Sequence, residues 1–366
     1  MTPEDLRAEI PAIEDTVYLN TGASGPSPRP VVEAATDFLE RHEYDAHAAG
    51  EPYSMAYDEL GAAREHVAAF VGAAPDDLAL TNSTADGISR VAAAIDWEPG
   101  ETVAYTDLEH PAGILPWERA ADVHDLDVRV LETEAGRVEM DAVKEVVADA
   151  RVLCLSSLSW NYGTRLPVSD VVDVAHDAGT RVIVDAVQSP GQHPVDVTEW
   201  GADAVAAAGH KWLLGLWGAG FLHVDPDFAA TLEPRRASYR SVDDPSAPGC
   251  ELSAGAHKLE IGTVSPAPHV ALATAIDRIE AIGLDAIQSR IERLTDRLKE
   301  GLGDRLLSPR EYESGLVTFR AADPEGLVER LGEEGVVVRS LPDGTARASV
   351  HVFNTAADVD RLLGAL

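Results

Sequence analysis

Between residues 77 and 224, short apolar runs alternate with longer stretches whose apolar residues recur every three to four positions, and this alternation leaves few folds open. The runs at 77–81, 102–105, 127–131, 152–156, 182–185, 202–208 and 220–224 have strand length, and the stretches at 86–95, 140–148 and 168–178 read as helices between them. Strands separated by helices predict an α/β protein with a mainly parallel sheet and helices packed on its faces. Upstream, 31–44 and 54–71 read as amphipathic helices. After Arg235 the character changes: a Ser/Asp/Pro/Gly-rich loop at 238–255 leads to a helical pattern at 268–301. Strand-like runs follow at 315–320, 336–339 and 346–353, with a helix near 324–332 and another at the end. At 366 residues the chain exceeds the usual single-core size, so two units are expected. They are a large domain over 17–255 and a smaller α+β domain over 256–366, the latter joined by segment 1–16.

One side chain stands out against this scaffold. Lys211 lies in the run AAAGHKWLLG at 206–215, where an ammonium group has no ordinary structural purpose. The chain has only four lysines, Lys144, Lys211, Lys258 and Lys299, and otherwise uses arginine as its cation. A desolvated lysine can lose its proton and attack a carbonyl, which arginine cannot do. The run RVIVDAVQ at 181–188 places Asp185 at the end of another strand. Ligands of open α/β sheets collect at the carboxyl ends of the strands, so both side chains can face one crevice. A lysine amine for an aldehyde and a carboxylate for a ring nitrogen are what pyridoxal 5'-phosphate, PLP, requires. Taken singly, an Asp at a strand end is more often a turn residue and an apolar-flanked lysine can reach the surface along its stem. The pairing carries the argument.

The stretch 202–224 is long and apolar enough to raise a membrane span, but Asp203, the central His210–Lys211 pair and glycines 209, 215, 218 and 220 argue against it. A net charge of −34, from 63 acidic and 29 basic residues dispersed along the chain, disfavours nucleic acid and anionic membranes as partners. Few lysines and many acids are also the pattern of halophilic proteins; an ordinary acidic protein is the alternative. Cys154 and Cys250, the only cysteines, form neither a CxxC pair nor a disulfide framework, and the N-terminus lacks a basic segment followed by an apolar one. A cytoplasmic setting is the expectation. No residue is assigned to a metal.

With these pieces placed, the chain resembles the class V aminotransferase family of fold-type I PLP enzymes, which includes cysteine desulfurases, selenocysteine lyase-like proteins and isopenicillin N epimerase-like proteins. The resemblance runs through YLNTGASGP at 18–26, TNSTADGI at 81–88, EHPAGILPW at 109–117, the Asp185 and Lys211 segments, EIGT at 260–263 and TARASVHVFN at 345–354. It implies that Ser83 and Thr84 bind phosphate, and the residues support this, since a strand, a hydroxyl-rich turn and a helix start suit an anion. It further implies that His110 stacks on the pyridine ring, that Gln188 bonds the ring's phenolic oxygen or the imine, and that His210 contacts the phosphate. Gly262 and Thr263 would reach the phosphate of a neighbouring subunit, giving a homodimer with shared sites. Arg347, with Arg339 as second candidate, would hold the carboxylate of a small amino-acid substrate.

The departures carry as much information. A phosphate-binding serine often precedes the Gly-His-Lys triplet, and Ala208 stands here. Trp160 occupies the position of a cofactor-side asparagine, with Asn161 one step on. Desulfurases carry a nucleophilic cysteine on a loop after the segment that Val338–Arg339 resembles, but here the loop is Ser340-Leu-Pro-Asp-Gly344. The missing loop cysteine favours transamination, or a lyase that needs no persulfide, over a sulfur-transferring desulfurase, and an aminotransferase is the expectation. A C–S or C–Se lyase is the alternative, and a non-catalytic PLP-fold binding module is a third reading, opposed by the joint presence of a base and a carboxylate clamp.

Overall fold

The computed structural model describes residues 1–366. Seven strands form one sheet: β1 (Leu78–Thr81), β2 (Thr102–Thr106), β3 (Asp127–Leu131), β4 (Ala150–Ser156), β5 (Arg181–Asp185), β6 (Ala204–Ala208) and β7 (Gly220–Val224). Their spatial order is β1-β7-β6-β5-β4-β2-β3, and only β7 runs antiparallel to its neighbours. The mainly parallel sheet expected from the βα alternation is thus present. Alternate side chains of every strand but the edge strand β3 enter two cores: Leu153, Leu155, Val182 and Val184 on one face, Val152, Cys154 and Ile183 on the other. Because both faces are covered, the strands read as nearly continuous apolar runs. β6 is built almost entirely of alanine, which lets helix Thr84–Ala94 come close: a Cβ on Gly87 would lie 3.2 Å from the Ala206 methyl.

The C-terminal part forms a second sheet. β8 (Leu316–Phe319), β9 (Arg339–Ser340) and β10 (Ala346–Ser349) make an antiparallel sheet in the order β9-β10-β8, with Arg339 opposite Arg347. It shares a core with helices Leu284–Leu302, Pro324–Glu333 and Ala356–Ala365. Val17–Tyr18 pairs in parallel with Val336–Val337, and Arg7 pairs with Asp358, whereas Leu6, Ile10 and Ile13 join the core of the large sheet.

Three sequence expectations need correction. The helix expected over 268–301 is two helices, Ala267–Ile282 and Leu284–Leu302, because Gly283 adopts φ 88°, a conformation that interrupts the helical ladder. The helix expected over 31–44 is α-helical over Arg29–Glu40 and then widens into a π-helical turn, Arg41–Ala46. The strand expected over 336–339 divides into Val336–Val337, which pairs with the N-terminal segment, and β9, which pairs with β10.

Candidate active site

The carboxyl edge of the large sheet positions the site, since five loops leave it side by side. β1 leads to Ser83–Thr84, β2 to Glu109–His110, β4 to Ser157–Trp160, β5 ends in Asp185, and β6 leads to His210–Lys211. Lys211 is half-buried, and burial, then repulsion from Arg347 and Arg339, lowers its amine to about 8 against the opposing attraction of Asp185. Asp185 is buried, its Oδ1 accepts the Val187 N–H at 2.9 Å, and desolvation raises its proton affinity. His110 caps helix Pro111–His124, accepting the Ala112 N–H through Nδ1 at 3.2 Å, so its proton resides on Nε2. Burial, reinforced by Lys211, Arg339 and Arg347, lowers its pKa to about 4 and keeps the ring neutral.

The carboxylate clamp expected from the resemblance has distinct geometry. Arg347 is 1% exposed, donates through Nη1 to the Trp160 carbonyl at 2.6 Å, and has no partner at Nε or Nη2. The ring of Trp160 in turn stands edge-on to His110, centroids 5.3 Å apart. A Cβ on Gly22 would come within 3.1 Å of Arg347 Nη2, and the Gly22 carbonyl accepts from Gln188 Nε2 at 3.0 Å. Gln188 Oε1 accepts the Trp212 indole N–H at 2.7 Å, so the glutamine has one N–H free for a cofactor oxygen. The N-terminal turn also fixes the lysine backbone: Gly25 N–H donates to the His210 carbonyl at 2.7 Å, and a Cβ there would lie 2.1 Å from the Lys211 carbonyl oxygen. Arg339 is exposed beside this cluster on β9.

The residues present fit PLP. At the phosphate turn, Ser83 Oγ caps the helix by accepting the Asp86 N–H, and Thr84 Oγ1 is buried without any partner at a helix start whose first N–H groups lack intrahelical acceptors. An orphaned hydroxyl there matches a phosphate oxygen. His210 is half-buried against Trp217, and burial lowers its pKa to about 4, so toward a phosphate it would act as a neutral donor. Within the chain, Gly262 and Thr263 both contact Tyr239. Thr263, at φ 59°, hydrogen-bonds Tyr239 Oη at 2.5 Å on an exposed surface, while Glu260 anchors the loop through Arg64, Arg240 and the Leu80 N–H.

Several neighbours were not singled out from sequence. Ser349 Oγ, buried and unpartnered, lies with Arg347 Nη2 against Gly22, and Asn20 Oδ1 and Thr21 Oγ1, just before that glycine, are also buried without partners. Glu109, buried, accepts from Thr106, the Ser156 N–H and the Ser156 hydroxyl, and desolvation lifts it to about 8. Its position directly before His110 was the one available signal. Cys154 is sealed in the core and its thiol is pushed up by burial, and Cys250 is exposed on the 238–255 loop. The turn after Ser340 is closed by Leu341 and Thr345 backbone bonds and by Asp343, with no thiol in it.

A doubly wound sheet with a lysine and a carboxylate at its carboxyl edge, a helix-start anion turn and a separate C-terminal sheet define a fold-type I PLP enzyme. The chain belongs to the aminotransferase class-V family, whose sequence pattern it matches over residues 17–362. It is 33% identical to a probable cysteine desulfurase of Methanothermobacter thermautotrophicus, covering 100% of this chain and 97% of that one. It is also 31% identical to the isopenicillin N epimerase of Streptomyces clavuligerus, covering 99% and 97%. Among solved structures, the apo cysteine desulfurase of Thermococcus onnurineus superimposes with a TM-score of 0.92 at 28% identity, covering 100% and 97%.

Proposed function

We propose that the protein is a PLP-dependent C–S lyase that acts on cysteine or a close analogue and has no sulfur-accepting cysteine of its own at the site. The similarity to desulfurases favours this lyase alternative over the aminotransferase reading of the sequence. The observation that carries it is the pairing of a fully buried, half-unpartnered Arg347 with a Ser340–Gly344 turn that lacks a thiol.

When bound, PLP supplies an aldehyde that captures the substrate amine and a ring that accepts electron density from Cα. Thr84, Ser83 and His210 would hold its phosphate, Asp185 its ring nitrogen and Gln188 its phenolic oxygen. Arg347 Nε and Nη2 would receive the substrate carboxylate as a bidentate pair. Lys211, with its amine lowered to about 8, removes the Cα proton, and neutral His110 packs over the reacting centre without adding charge. With no thiol to take sulfur from the substrate, the Cβ–S bond breaks with its electron pair on sulfur. Cysteine and water then give pyruvate, ammonia and hydrogen sulfide.

The same reading includes a homodimer with shared sites. A groove of about 780 Å³ beside His110 exposes Leu115 and Val123, and Thr263 is bonded to Tyr239 on an exposed surface, both of which suit a second copy of the chain. The test is a panel of amino acids scored for sulfide, pyruvate, alanine and inverted stereochemistry. Equal sulfide and pyruvate from cysteine is the expected result. Alanine with a protein persulfide would establish a desulfurase, and keto acid from sulfur-free amino acids without sulfide would establish an aminotransferase.

A further inference from the structure

Away from the PLP site, the π-helical turn Arg41–Ala46 brings together two imidazoles and a carboxylate. One ligand atom from each of His42, Glu43 and His47 lies within 4.8 Å of the others. A π-turn stacks residues five apart, and His42 and His47 accordingly meet edge to face at 5.3 Å. Phe38 stacks on His42 from the preceding turn, centroids 5.4 Å apart, and fixes that ring.

The tautomers follow from the neighbouring backbone. His42 Nε2 lies 3.1 Å from the Pro52 carbonyl, and His47 Nδ1 lies 2.9 Å from the His42 carbonyl. A carbonyl only accepts, so both of these nitrogens carry protons and the lone pairs remain on His42 Nδ1 and His47 Nε2. His42 Nδ1 faces Glu43 Oε1 at 2.8 Å. Two acceptors meet there unless a second ring proton or a cation lies between them. Carbonyls that hold the outer nitrogen and orient the inner one are the usual supports of metal-binding histidines.

We propose that His42, Glu43 and His47 bind a divalent transition ion, with Zn²⁺ indicated by the N₂O donor set. All three side chains line a cavity of about 420 Å³ whose walls also include Tyr53, Tyr57 and Thr263. The ion would pin the π-turn to the start of helix Pro52–Val71 through the His42–Pro52 bond. A second grouping, His66 with Asp277 and Glu280, has one imidazole and two exposed acids, and no backbone carbonyl orients its ring, which makes it an internal control.

The experiment uses untagged, PLP-saturated protein stripped with chelator and then titrated with Co²⁺, read by its d–d absorption, and with Zn²⁺ in competition. One strong site per chain is expected, weakened about tenfold or more by His47→Ala and by His42→Ala, and unchanged by His66→Ala. Should His42→Ala fail to fold by circular dichroism, Glu43→Gln on the exposed carboxylate supplies the same comparison. Binding no tighter in the parent than in His47→Ala, or binding lost with His66→Ala instead, would overturn the proposal.

Discussion

Replacing Arg347 by methionine distinguishes a substrate clamp from a structural arginine. The guanidinium is 1% exposed, spends Nη1 on the Trp160 carbonyl and leaves Nε and Nη2 unpaired. A carboxylate received there gains two charge-assisted bonds of about 1.5–3 kcal/mol each, offset in part by its own desolvation. A net loss of roughly 3–4 kcal/mol corresponds to about 10²–10³ in kcat/KM at tenfold per 1.36 kcal/mol. Stability should move the other way or not at all. Without substrate the buried charge lacks a counter-ion, and burial with Arg339 nearby has already lowered its pKa to about 9. The methionine therefore removes an unfavourable charge along with one hydrogen bond. Steady-state rates on cysteine and on cysteamine, which lacks the carboxylate, together with calorimetric Tm, check this. The preference for cysteine should collapse in Arg347→Met while Tm holds. A variant that keeps the cysteine-to-cysteamine ratio, or loses rate only in proportion to lost Tm, would refute the clamp.

Lys211→Ala should abolish the cofactor that borohydride fixes covalently to the parent, and recovery of the reduced adduct on Lys144, Lys258 or Lys299 would displace Lys211 from its role. Because the Lys211 amine is lowered to about 8, its free-base fraction grows as pH rises, so the rate of PLP capture should climb between pH 7 and 9 and then level; a flat profile contradicts the perturbed amine. His351 and His223, both buried and lowered to about 4, bind fewer protons folded than unfolded, so denaturant stability should be full above pH 6.5 and decline from there toward pH 4. His351→Gln should flatten part of that decline in urea titrations. If Thr263 completes the partner's phosphate site, Thr263→Ala should weaken both dimer and PLP affinity in ultracentrifugation at high salt, and a monomer that binds PLP fully would exclude the shared site.

The sequence made the βα alternation, Lys211 and Asp185 legible because each is a local signal: a period, or a charged residue set directly among apolar ones. Gly283 shows the limit. Ile282, Leu284 and Ile287 keep an apolar pattern across it, and a glycine inside a helix costs only about 1 kcal/mol against alanine, so pattern alone does not reveal that φ reaches 88° and the helix divides. The surroundings of Arg347 were illegible for a different reason. Its surroundings join Gly22, Trp160 and Ser349, residues far apart in the chain, and its unpaired Nε and Nη2 are visible only once the chain is folded. The orphaned Thr84 hydroxyl likewise reads as an ordinary helix start until its lack of a partner is visible.

The charge arrangement of the site links binding to chemistry. In a chain of net charge −34, Lys211, Arg339 and Arg347 form a positive group around one crevice, with Asp185 as its acidic member in contact with the lysine's field. Burial is the main reason that the Lys211 amine is lowered, but Arg347 and Arg339 add to it. On the proposed reading, a substrate carboxylate seated on Arg347 would neutralise part of that repulsion, and the proton affinity of Lys211 would rise as the substrate arrives. The free enzyme would thus keep a fraction of unprotonated amine for the cofactor near neutral pH, and the loaded enzyme would have a stronger base for the Cα proton. An uncharged group at 347 would lose both the anchor and this coupling, which is why the expected fall in kcat/KM is accompanied by a shift of the Lys211 pH limb toward higher pH in the free variant.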